Sequence, residues 1–271
     1  MNRRRGRDQA VAPFVAGCVG VGGGGALSSA SVLSVIAVLP QPPLLVPELT
    51  GGAAVETEAL REACRDTAAA LAEATRSWIV VGADSGGRRS VEPGTTGTFA
   101  GYGRDVPVVL PGGVGRVDDE GPRLPLPLLI AGWAAAGTGT DLRVRGELIS
   151  PDASPADCLA LGAELAATGA EDVGLLVVGD GAARHTATSP GGFDERAEAF
   201  DAVVAAALDA ADPEPLAELD PELARELWAA GRAPWQVLAG AARAGGTWTG
   251  RLRHTSIPYG VAYHVATWHR S

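Results

Sequence analysis

Ser34 to Leu39, SVIAVL, is a short apolar run rich in β-branched residues, and it leads straight into Pro40, Pro42, Pro43 and Pro47. The run has the pattern of a buried strand. The prolines exclude a regular helix or a central strand over the next residues, and each pushes its predecessor towards extended geometry. The pattern predicts a stiff, extended loop leaving the C-terminal edge of a first strand. In open α/β sheets that edge is where ligands gather. Gln41 stands between prolines, so its side chain is expected to be held in place and is a candidate ligand-binding group.

The rest of the chain alternates strand and helix patterns. Residues 53–76 read as a helix, with Leu60, Cys64, Thr67, Ala68 and Leu71 at helical spacing and Glu and Arg on the other face. Trp78–Val81 reads as a buried strand, and 85–105 as a long surface loop. Strands are predicted at 107–110, 142–149 and 173–178. Helices are predicted in the apolar segment 124–136 after Pro127, at 155–167 with Ser154 as N-cap, at 193–211, from Asp220 to about Ala230, and from Pro234. Two strands, 247–253 and 260–268, close the chain around a turn-like HTSIPYG link. This alternation predicts an α/β fold with a central mixed β-sheet covered by helices on both faces. A single domain from residue 32 to 271 is the simplest account.

Net charge is −10, and every basic side chain other than histidine is an arginine. An acidic surface of this kind argues against a nucleic-acid partner, which needs a basic stripe. Cys18, Cys64 and Cys158 are widely spaced and show no zinc-type spacing, which fits reduced thiols and a cytoplasmic setting. No stretch reads as a membrane span. Residues 1–31 carry an arginine-rich head and a glycine-rich run, with a lipobox-like Val15-Ala16-Gly17-Cys18. The expectation is a disordered or mis-called extension rather than an export signal.

Several short segments carry a resemblance. PQPPLLVPEL (40–49), the strand ending in Gly82-Ala83-Asp84-Ser85-Gly86, and Val178-Gly179-Asp180 all contribute to it. So do GFDERAEAFD (192–201), GRAPWQVL (231–238) and PYGVAY (258–263). In order and spacing they resemble the class III extradiol ring-cleavage dioxygenases, the LigB-like superfamily. The resemblance implies a LigB-like single domain and, in active members, Fe(II)- and O₂-dependent cleavage of a catechol-type ring. It places the iron ligands of active members at Gln41, at Asp84 and at Ala229-Ala230, and a further family histidine at Ala183. A non-haem iron site needs two imidazoles and a carboxylate. An amide, one carboxylate and methyl groups cannot supply it. The chain is therefore expected to be a degenerate homologue with no retained metal ligands, and its cofactor is unknown.

Three readings follow. The cleft could bind a small aromatic or anionic molecule through Gln41 and Arg184, with Asp84 and Asp180 also lining it. It could run cation-assisted chemistry through Asp84, Asp180 and His185. The chain could instead be a non-catalytic partner subunit in a homo- or hetero-oligomer. Asp84 and Asp180 each follow a buried strand, so both are placed at the sheet's C-terminal edge, where paired carboxylates do acid–base work or serve as turn and cap residues. His185 is either a third member of that cleft or a solvated loop histidine. His264 reads as a satisfied strand histidine, and Cys64 and Cys158 as small buried apolar residues.

Overall fold

The computed structural model describes residues 33–113, 124–167 and 172–271. The predicted extension over 1–31, with Cys18, lies outside the described residues. The elements run β1 (Leu33–Leu39), α1 (Pro47–Thr50), α2 (Glu58–Ala74), β2 (Ser77–Ala83), β3 (Arg89–Val91), β4 (Thr96–Thr98) and β5 (Pro107–Val109). They continue with α3 (Leu126–Gly137), β6 (Arg143–Ile149), α4 (Pro155–Ala167), β7 (Val173–Val178) and α5 (Arg196–Ala210). Three more helices follow, α6 (Pro213–Ala217), α7 (Pro221–Glu226) and α8 (Arg232–Gly245), and then β8 (Trp248–Ser256) and β9 (Tyr263–Arg270).

The fold is α/β. A seven-stranded mixed sheet has the order β3-β6-β2-β7-β1-β9-β8. The four central strands are parallel, while β3, β9 and β8 run antiparallel to their neighbours. β1 is buried on both faces, so its alternate residues feed two cores. Ile36 and Val38 join Leu175, Val177 and residues of α4, α5 and α8 on one side. Val35, Ala37 and Leu39 join Leu176, Val178 and residues of α2 and α3 on the other.

The proline segment departs from a plain extended loop. Pro43–Leu45 forms a 3₁₀ turn and Pro47–Thr50 a single helical turn, each with proline in its first positions. Proline is pre-set for that position because its missing N–H would be unpaired there anyway. The residues just before, Pro42 and Val46, are extended as proline demands. Arg61 pins the segment down. It was expected on the exposed face of its helix, yet it is 2% exposed. Its Nε donates to the Leu45 carbonyl at 2.9 Å and its Nη1 pairs with Glu58 at 2.6 Å.

The segment read as a loop over 85–105 contains the edge strand β3, paired to β6, and β4, which pairs with β5. Ser154 caps α4 as predicted, with its Oγ accepting from the Asp157 N–H at 3.2 Å. The helix predicted to run from Asp220 to about Ala230 ends sooner. The α7 cap is Asp220, and the chain reverses at Trp228, where φ is +57°.

Candidate functional site

At their C-terminal ends, β1 and β7 are tied to each other and to the turn before α8. The Gly179 N–H donates to the Leu39 carbonyl at 3.0 Å, and the Asp180 carbonyl accepts from the Gly231 N–H at 2.7 Å. The Asp180 carboxylate accepts from the Gln41 backbone N–H at 2.7 Å. It is therefore the backbone of Gln41, not its side chain, that the prolines aim at this edge. Burial pushes the Asp180 carboxyl up to about 7, against the lowering effect of the Gln41 N–H. Burial, and then the nearby Asp180 charge, also raise the Tyr263 phenol and the Cys64 thiol.

The other residues predicted for this cleft have partners of their own. Asp84 is spent on its own turn: Oδ2 accepts from Arg89 Nη1 at 2.6 Å and from the Gly86 N–H at 2.9 Å. Arg184 turns its Nη1 onto the Glu226 carbonyl at 2.9 Å. His185 is neither a partner of Asp84 and Asp180 nor a solvated loop residue. Its side chain is 7% exposed, and its Nε2–H donates to Asp201 Oδ2 at 2.6 Å. The predicted trio of Asp84, Asp180 and His185 is thus dispersed to three separate sets of partners.

A different constellation forms around His185. The His264 Nε2–H donates to the other oxygen of Asp201 at 3.2 Å, and Thr255 Oγ1 lies 3.0 Å from His264 Nδ1. The Ala182 N–H adds a backbone bond to the same carboxylate at 3.1 Å. A buried carboxylate is tolerable only with partners of this kind. His264 is the satisfied strand histidine expected. Its partner Asp201 went unrecognised, although it sits on the apolar stripe of α5 with Ala197, Phe200, Val204 and Leu208. An acidic residue on a core-facing stripe is the sequence signal that could have found it.

The loop carrying His185 is tightly held. The His185 N–H donates to the Gly260 carbonyl at 3.2 Å, and the Ala183 N–H to the Leu227 carbonyl at 2.9 Å. Gly181 leaves room for the cluster, since a Cβ there would stand 2.3 Å from Asp201 Oδ1. A groove of about 450 Å³ opens over the loop, lined by His185, Thr186, Ile257 and residues of the segment leading into α5.

Gln41, Asp84, Ala229 and Ala230 supply no imidazole, and Asp84 is engaged by Arg89. Both Nε2 atoms of His185 and His264 are spent on one carboxylate. Among the described residues, no group of three or more His, Cys, Asp or Glu side chains could hold a metal ion. The residues do not fit an oxygenase iron.

No protein-family model matches this chain. No curated protein matches it. Among solved structures it is similar to an uncharacterized protein, JW3007, from Escherichia coli K12. The two are 14% identical with a TM-score of 0.51, over 88% of this chain and 100% of the other. That likeness is one of fold. No helix among the described residues is long and apolar enough to cross a membrane.

Proposed function

We propose that this chain is an iron-free homologue of the class III extradiol dioxygenases that binds a small molecule rather than cleaving a ring. The observation that carries this reading is the engagement of Asp84, the one carboxylate at a family ligand position, by Arg89 and Gly86. Gln41 contributes its backbone N–H to Asp180. Ala229 and Ala230 have no donor to offer. A fold can persist after its chemistry has gone. The sheet edge and the groove over His185 remain as places for a ligand. The ordered motifs from Pro40 to Tyr263 support the kinship.

Elemental analysis tests the reading. Anaerobically purified protein is soaked in Fe(II), desalted and compared with Asp84→Ala and His185→Ala variants. The expected result is iron far below one atom per chain in all three. Near-stoichiometric iron that disappears in a variant, together with oxygen uptake on a catechol, would overturn it.

A further inference from the structure

The groove beside His185 has a chemistry of its own. Asp201 is a carboxylate with two imidazole partners, so both must present N–H to it, each through Nε2. In the neutral rings, that fixes the tautomers. His264 Nδ1 then accepts from the Thr255 hydroxyl. His185 Nδ1 is left as a bare lone pair, and no hydrogen bond reaches it among the described residues. Nor is it one of the buried polar atoms sealed away without a partner. The side chain is more than nine-tenths buried, yet it lines the groove. Neither bonded nor sealed away, the free nitrogen is open to a ligand. Donation of Nε2–H to a carboxylate makes that nitrogen a better acceptor.

The walls around it are acidic and apolar. Asp194, Glu195 and Glu198 line the groove with Phe193 and Ile257. Phe193 is 62% exposed and Ile257 46%, and both line this one groove, so it offers apolar surface to a ligand. Asp194 is neutralised by Arg196, at 2.7 and 2.9 Å. Glu195 and Glu198 are exposed and make no ion pair among the described residues. The neighbouring arginines are engaged by other groups: Arg196 by Asp194 and Glu226, and Arg184, through Nη1, by the Glu226 carbonyl. An anion would therefore find acceptors and negative charge here, and few donors.

We propose that this groove binds a small primary amine with an aromatic or apolar body. The ammonium donates to His185 Nδ1 and is neutralised by Glu195 and Glu198, while the body lies on Phe193 and Ile257. Asp201 and His264 act as positioning residues that hold the His185 ring in its acceptor tautomer. The inference rests on the small-molecule-binding reading and names its site and its class of ligand.

Calorimetric titration of the full chain at pH 8 tests it, with benzylamine, benzyl alcohol and phenylacetate as probes sharing one ring. Benzylamine is expected to bind saturably, and the other two at least tenfold more weakly. Glu198→Gln, an exposed change, is expected to weaken benzylamine at least threefold, and His185→Phe at least tenfold with circular dichroism confirming the fold. Absence of saturable benzylamine binding, equal binding of phenylacetate, or an unchanged constant in Glu198→Gln would overturn the proposal. The titration does not read iron. Its failure leaves the iron-free reading standing, whereas stoichiometric iron with ring cleavage that is lost in Asp84→Ala but kept in His185→Ala sinks that reading and leaves the groove untouched.

Discussion

His185 Nε2 lies 2.6 Å from Asp201 Oδ2, which ties a loop at the sheet's C-terminal edge to the buried face of α5. The same carboxylate holds His264 at 3.2 Å, so one side chain joins a loop, a helix and the strand β9. Asp201→Asn would keep the shape but leave one oxygen and one NH₂ group facing two imidazole N–H donors and the Ala182 N–H. Removing one partner of a buried charged cluster costs far more than removing a surface pair. We expect a loss of about 2–4 kcal/mol of unfolding free energy. Urea denaturation followed by tryptophan fluorescence measures it. A change below about 0.5 kcal/mol would mean the cluster does not hold these elements together.

Asp180 sets a pH dependence. Its folded carboxyl titrates near 7, above the ordinary aspartate value, because burial disfavours the charge. The folded state therefore holds the proton more tightly than the unfolded chain. The stability this gives is complete below about pH 4 and is lost as pH rises through about 7. Asp180→Asn retains an acceptor for the Gln41 N–H and removes the buried charge. The difference in unfolding free energy between variant and wild type is expected to grow in the variant's favour from pH 5 to pH 8, by roughly 2–4 kcal/mol. His254, whose pKa burial lowers, is common to both proteins and cancels in the difference. A difference that stays flat over this range would place Asp180 in contact with water.

Cys64 and Cys158 should be silent thiols. Burial pushes Cys158 up to about 11 and raises Cys64 further, so neither holds much thiolate near neutrality. Both are fully buried. Iodoacetamide at pH 8 is expected to label them at least a hundredfold more slowly in the folded protein than in urea, as read by peptide mass spectrometry. Labelling of Cys64 at the rate of a free thiol would show that the Asp180 edge opens to solvent.

The fold was legible in the sequence where side-chain period and chain length agreed. β1, β2, β6 and β7 are long enough for apolar runs to register, and Ser154 and Asp220 announce their helices by capping chemistry. β3 and β4 were not legible. Arg89–Val91 and Thr96–Thr98 are too short to show a period, and what makes them strands is their partners: the distant β6 for one, and the nearby β5 across a short hairpin for the other. The candidate site was half legible for a similar reason. His185 could be singled out, but its partners are 16 residues away in a helix and, through Asp201, 63 residues further in a strand. No local spacing encodes that meeting. Asp84, Asp180 and His185 are not joined in one hydrogen-bonded set, because each meets a nearer partner of its own. Arg89 lies five residues from Asp84 and reaches it first.

The crossing of α4 and α8 allows the sharpest test of packing. A Cβ on Gly162 would stand 2.0 Å from the Val237 carbonyl oxygen, and one on Gly240 2.2 Å from that of Leu159. Both obstacles are backbone, so no rotamer change relieves them. Alanine in a helix otherwise gains up to about 1 kcal/mol over glycine. Gly137→Ala, at the end of α3 with nothing within 4 Å of the new Cβ, is expected to show that gain, unopposed. Gly162→Ala and Gly240→Ala are expected to lose about 2–4 kcal/mol, because the helices must separate and leave voids around Trp235 and Cys158. The double variant should lose less than the sum of the two, since one separation of the helices relieves both clashes. Strict additivity in urea denaturation would mean that the two glycines do not share one contact.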